Sequence, residues 1–205
     1  MNGTHRRRIL AASCLLGLAA SYLFSLATGP VAAGTLTHGT IAGAGFLAVL
    51  NAGLMAGAVI AITQLVRGGA DLLGLTGGVL TLLGATVAAR ITVLIQLSLL
   101  EDASPGAART TMTKLVESAP LVWASIIPIG LMFPAGLITL GIALIVARPV
   151  HRGIGVMLVI GGVLFPLGRA MDIVPAIYAC DIILAITFAT LGWQLLKRPA
   201  LWQAA

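Results

Sequence analysis

The sequence predicts an all-α fold: a polytopic membrane bundle of six transmembrane helices with both termini in the cytoplasm. Three observations predict it. Hydrophobic residues make up 59% of the chain, charged residues only 9%, and the mean hydropathy is +1.08. A soluble domain carries roughly 25% charged residues, so this chain cannot clothe a core with a water-facing surface. The apolar residues fall into six runs, at about 9–28, 40–66, 72–100, 120–147, 153–167 and 173–196, most of them near the ~20 residues that a bilayer core requires. The basic residues gather between the runs on one side. Alternating six spans place Arg6, Arg7, Arg8, Arg67, Arg148, Arg152, Lys197 and Arg198 on the cytoplasmic face. Arg109, Lys114 and Arg169 fall on the other with Glu101, Asp102, Glu117 and Asp172. This asymmetry follows the positive-inside rule and points to a multi-pass protein of the inner (plasma) membrane. The net charge of +6 is thereby a topology determinant, not a nucleic-acid footprint. Residues 1–205 read as a single membrane domain.

Each run has its own punctuation. His5-Arg6-Arg7-Arg8 precedes the first, as it would precede a signal peptide cleaved near Val31-Ala32-Ala33. An apolar length of about 20 residues exceeds the usual 7–15-residue signal core and favours a retained span. Gly29-Pro30 ends it. The second span carries small-residue ladders, Ala44/Ala48/Ala52/Ala56 and Gly53/Gly57/Ala61, which let helix backbones approach closely. Arg67-Gly68-Gly69-Ala70-Asp71 turns into the third. Beyond it, Ser104-Pro105-Gly106 marks a turn. Ala108, Met112, Leu115, Val116 and Ala119 then recur at helical spacing, as a short interfacial helix or a solvated loop would allow. Pro120 opens the fourth span, where Pro128 and Pro134 should kink the helix and free carbonyls. Arg148-Pro149-Val150-His151-Arg152 is a basic turn, and Lys197-Arg198 closes the sixth span. The first three spans run opposite to the last three, but no internal sequence similarity supports an inverted repeat.

The chemistry narrows to two deep charges. Arg90 lies about 16 Å below the face marked by Glu101, and Asp181 about 12 Å below that face at 1.5 Å per residue. A guanidinium at such depth costs from ~3 to ~17 kcal/mol unless protein or water meets it. Opposite sign and similar level predict an Arg90–Asp181 ion pair, with Tyr178 one helical turn from Asp181 and Asn51 on the second helix able to join. Such a cluster is either a staple between helices or a substrate, ion or proton site.

Other chemistries fail on spacing. His5, His38 and His151 form no level pair for a haem, and none lies mid-membrane beside a serine. Lys114 and Lys197 fall outside the apolar core, which excludes a retinal Schiff base. Asp181 has no aspartate partner for proteolysis, and no P-loop or H-E-x-x-H motif is present. Cys14 and Cys180 lie at different depths and have no metal-ligand spacing, so both read as packing residues. Glu101 and Asp102 read as solvated helix-end acids. No metal or cofactor is expected.

Ala89-Arg90-Ile91 within the third span, and Leu191-Gly192-Trp193 followed by Lys197-Arg198, resemble small six-helix bacterial integral membrane proteins classed as a domain of unknown function. That resemblance implies a fold and no activity. The expected role is a non-enzymatic membrane subunit or scaffold, meeting the bilayer and partner helices or a second copy through glycine-rich faces. The alternative is a small transporter or channel using Arg90, Asp181 and the Pro128/Pro134 kinks. A lipid-modifying enzyme with Asp181 or Glu101 as acid or base is the third.

Overall fold

The computed structural model describes residues 3–28, 38–101, 107–169, 171 and 173–203. The proposed cleavage region at 31–33 and the turn at 104–106 lie outside them. The regular secondary structure of the described residues is all helical: α1 (Gly3–Thr28), α2 (His38–Leu65), α3 (Asp71–Glu101), α4 (Ala107–Ser118), α5 (Pro120–Ala147), α6 (Arg152–Arg169), α7 (Val174–Lys197) and α8 (Pro199–Gln203). Five of these contain stretches long and apolar enough to cross a membrane: Gly3–Leu26, Asp71–Arg90, Ile127–Ala147, Arg152–Arg169 and Val174–Lys197. α2 contributes a shorter described apolar stretch, Val49–Leu65.

Local chemistry sets the turns. Gly68 adopts φ +78°, a left-handed conformation that glycine enters without a Cβ penalty, and its N–H donates to Asp71 Oδ1 at 2.7 Å. α5 ends on Arg148 in the left-handed region, its N–H donating to the Leu144 carbonyl, and Pro149 prevents continuation. Pro120 and Pro175 sit in the first turns of α5 and α7, where a missing N–H removes no helical bond.

The long helices form a closed ring in the order α1, α2, α3, α5, α6, α7, with α7 packing back on α1 and α2 also touching α5 across the ring. Every neighbouring pair is antiparallel, as paired contacts along each seam show. Glycines mark close approaches at each seam. Gly57 abuts Cys14, Gly78 abuts Val59 and Thr63, and Gly84 lies against the Phe133 backbone. Gly141 faces Gly155, Gly161 faces Leu184, and Gly192 meets Ala12 and Leu16. Without side chains there, backbones come close enough for the dispersion contacts that hold apolar helices together in lipid. The described glycines of these seams are thus occupied within the chain. Gly53 is an exception, with open space around it.

Leucines fill the interior. Leu15, Leu18, Ile62, Leu137, Leu140, Leu144, Leu158, Leu184, Leu191 and Leu195 are fully buried, with Phe188 among them. Leu201 and Trp202 of α8 pack against the same core. α1 begins, α2 and α5 end, and α7 finishes at one end of the ring, here termed the basic end because Arg6, Arg7, Arg8, Arg67, Arg148, Arg152, Lys197 and Arg198 collect there.

Candidate functional site

Three side chains are both polar and buried among the described residues: Thr81, Thr187 and Asp181. The two threonines settle their hydroxyls locally, donating at 2.7 Å to Gly77 O and Ile183 O one turn back along their own helices. Asp181 has no such local solution. A carboxylate accepts hydrogen bonds only, so at 1% exposure it needs donors from elsewhere in the fold.

Arg169 supplies the main one. Its Nη2 donates to Asp181 Oδ1 at 2.7 Å, a short charge-assisted bond. Helix direction brings the two together. Gly168 packs against Ile177 and Gly161 against Leu184, so α6 and α7 form a tight antiparallel hairpin in which Arg169 stands roughly a turn nearer the connecting turn than Asp181. Side chains lean toward the N-terminus of their own helix. Arg169 on α6 therefore leans back into the bundle, Asp181 on α7 leans toward the turn, and the offset closes. Phe165, one turn before Arg169, lies beneath the guanidinium at 4.5 Å from its ring centroid. Phe133 packs on Phe165 in turn, with ring centroids 4.7 Å apart.

α1 completes the site. Ser25 Oγ donates to Asp181 Oδ2 at 3.3 Å, a long and weak bond beside that from Arg169. One turn nearer the chain start, Tyr22 stacks on Phe188, centroids 6.0 Å apart, which fixes the α1–α7 register. Cys180 lies next to the pair. Its thiol donates to Gly161 O at 3.4 Å, and Arg169 Nη1 approaches its sulfur at 3.9 Å. Three helices thus converge on one carboxylate.

Arg90 is not its partner. α3 and α7 occupy opposite positions in the ring, separated by α5 and α6 on one side and by α1 and α2 on the other, so equal depth does not bring their side chains together. Arg90 is exposed and makes no ion pair among the described residues. Tyr178 is half-buried on α7, but the described donors to Asp181 are Arg169 and Ser25. Asn51 is half-buried on α2, its Oδ1 enclosed without a hydrogen-bond partner. Pro128 is exposed, whereas Pro134 is buried in the α5–α6 seam, where a methyl built on Gly162 would lie 2.9 Å from its carbonyl oxygen. The proposed cluster therefore dissolves, with Asp181 as its surviving member. Arg169, Ser25 and Tyr22 are the residues that depth alone overlooks. Arg90→Gln removes no described ion pair and is expected not to destabilise the bundle, since a guanidinium exposed on a membrane-crossing helix draws no support from the protein. Thermal unfolding of the detergent-purified variant checks this, and a large loss would restore Arg90 to a structural role.

No protein-family model, curated protein or solved structure matches this chain. Function must come from the site. The pair joins a buried carboxylate to a guanidinium that is still 32% exposed. Chemically it can lock three helices, or present the accessible face of Arg169 to an anion. Among the described residues no group of three or more His, Cys, Asp or Glu could hold a metal ion.

Proposed function

We propose that this chain is a non-enzymatic membrane subunit or scaffold of the inner (plasma) membrane. In this reading Asp181, Arg169 and Ser25 tie α7, α6 and α1 together, and the ring is a closed structural unit. One observation carries the proposal: among the described residues with fully buried side chains, Asp181 is the one charged group, and the others are apolar, the aromatic Tyr22 or self-satisfied threonines, with enclosed polar atoms of the part-buried Arg8, Asn51 and Gln194 scattered on α1, α2 and α7. A pathway across the bundle would require polar groups or water along it. The interior of the basic half is filled instead by Leu15, Leu144, Leu158, Leu191 and Leu195. Partner helices would meet the exposed aliphatic rows, such as Leu72, Leu75, Val79 and Leu83 along α3.

The competing reading is a small transporter that alternates access around the pair. Cysteine accessibility separates the two. In a Cys14→Ala, Cys180→Ser background, single cysteines replacing Leu184, Leu191 and Leu195 are expected to resist a membrane-impermeant maleimide from both sides of a proteoliposome. Met171→Cys, exposed at the far end, serves as the accessible comparison. Labelling of Leu191→Cys or Leu195→Cys from the far side would reveal an opening pathway and overturn the scaffold reading.

A further inference from the structure

The basic end contains one charged group whose bonding the chain does not complete. The buried stripe of α1 runs through Ala12, Leu15, Ala19 and Tyr22. It faces α7, since Tyr22 stacks on Phe188 and a methyl on Gly192 would lie 3.1 Å from the Ala12 carbonyl oxygen. Four residues before Ala12, the same stripe carries Arg8 into the mouth of the α1–α7 seam. Arg6 and Arg7 beside it are exposed, whereas Arg8 is half-buried.

Its guanidinium is enclosed but poorly matched. Nη2 donates to His5 Nδ1 at 3.3 Å, a long contact. Nε and Nη1 are shielded from solvent and have no acceptor. Arginine keeps its proton, so these donors cannot be silenced by neutralisation. Among the described residues no carboxylate takes them. Among the described residues, the acid at this end of the ring is Asp71, which lies on α3 and is engaged with the Gly68 N–H. Further positive charge stands close by instead: α7 runs antiparallel to α1 and ends at Lys197, followed by Arg198. Lys197 Nζ lies 4.5 Å over the ring of the exposed Trp193, an aromatic–basic pairing suited to the membrane interface. α8 follows at once, with Leu201 and Trp202 packed on the core.

We propose that this mouth is a phosphate-binding site filled by the headgroup of an anionic phospholipid, with Arg8 as the principal ligand and Lys197 and Arg198 as flanking charge. A phosphate brings several acceptor oxygens and negative charge to buried donors that lack both. A lipid is the favoured source, because the site opens where apolar helix surface meets the basic end, so acyl chains can lie along α1 and α7 while the phosphate reaches Arg8.

Native mass spectrometry of the full chain in detergent tests it, with phosphatidylglycerol, phosphatidylcholine and inorganic phosphate added separately. The parent is expected to retain one phosphatidylglycerol with about tenfold preference over phosphatidylcholine, and Arg8→Gln to lose that preference, as removal of a charge-assisted bond implies. Arg6→Gln, at an exposed position, should bind as the parent does. Equal weakening by Arg6→Gln and Arg8→Gln would mean diffuse attraction to the basic end and would overturn the site. Inorganic phosphate bound by the parent, without phosphatidylglycerol retention, would overturn the lipid source. If Arg8→Gln does not remain monodisperse, Arg8→Lys carries the test: it keeps the charge but loses donors, and unchanged lipid preference in that variant would refute Arg8 as ligand.

Discussion

Arg169→Gln is expected to be among the most damaging single substitutions in this chain, and more damaging than Asp181→Asn. The two sides of the pair are not equivalent. Asp181 is buried at 1% exposure and cannot reach water, while Arg169 remains 32% exposed. Removing the arginine leaves a carboxylate inside the bundle with only the weak Ser25 hydroxyl bond. Stranding a buried charge in this way costs about 3–5 kcal/mol. Removing the carboxylate instead frees a long side chain that can turn outward, so Asp181→Asn should lose less, about 1–3 kcal/mol for imperfectly satisfied polar groups. The double variant, Arg169→Gln with Asp181→Asn, removes both charges and should recover part of the Arg169→Gln loss. Thermal unfolding of the four proteins in one detergent forms a double-mutant cycle. Additive losses, or an order with Asp181→Asn the worse, would show that the pair is not what holds α6 to α7.

The second large effect is expected at Gly84. A methyl built there would collide with the backbone nitrogen and Cα of Phe133. Backbone cannot turn aside as a flexible side chain can, so Gly84→Ala must separate α3 from α5 or distort one of them. Overpacking of this kind costs typically 1–3 kcal/mol and sometimes more. The separation would also strain the Gly77–Leu140 and Thr81–Gly136 contacts further along the same seam. Gly53→Ala is the matched control, a helical glycine with open space where the methyl would go. Folded yield by gel filtration should fall sharply for Gly84→Ala and stay at the parent level for Gly53→Ala. Equal yields would mean that the α3–α5 seam tolerates widening.

These two predictions show what depth and composition can and cannot foretell. The apolar runs of the sequence fall on helices, and five of these, α1, α3, α5, α6 and α7, contain stretches long and apolar enough to cross a membrane, because span length follows from bilayer thickness and hydropathy. The ladder Gly53/Gly57/Ala61 was legible as a close-packing stripe, yet Gly57 meets Cys14 while Gly53 meets nothing. Which member of a ladder is used depends on where the neighbouring helix crosses. The Arg90–Asp181 pairing failed for a related reason. Depth is a coordinate along the membrane normal, and it does not record which helices are neighbours in the plane.

The sequence by itself determined that the chain is a bundle of apolar helices, where most of them begin and end, which end gathers the basic residues, and that Asp181 must find a cation. Those properties follow from local hydropathy, turn chemistry and the energy of a charge in an apolar medium. Only the tertiary structure decided that the cation is Arg169, that Ser25 joins it, and that Arg8 is half-buried while Arg6 and Arg7 are exposed. Those outcomes depend on ring order and helix register, which glycine contacts many residues apart fix together. The physical reason is that in lipid the hydrophobic effect does not choose between helix neighbours, so shape complementarity and buried polar bonds must.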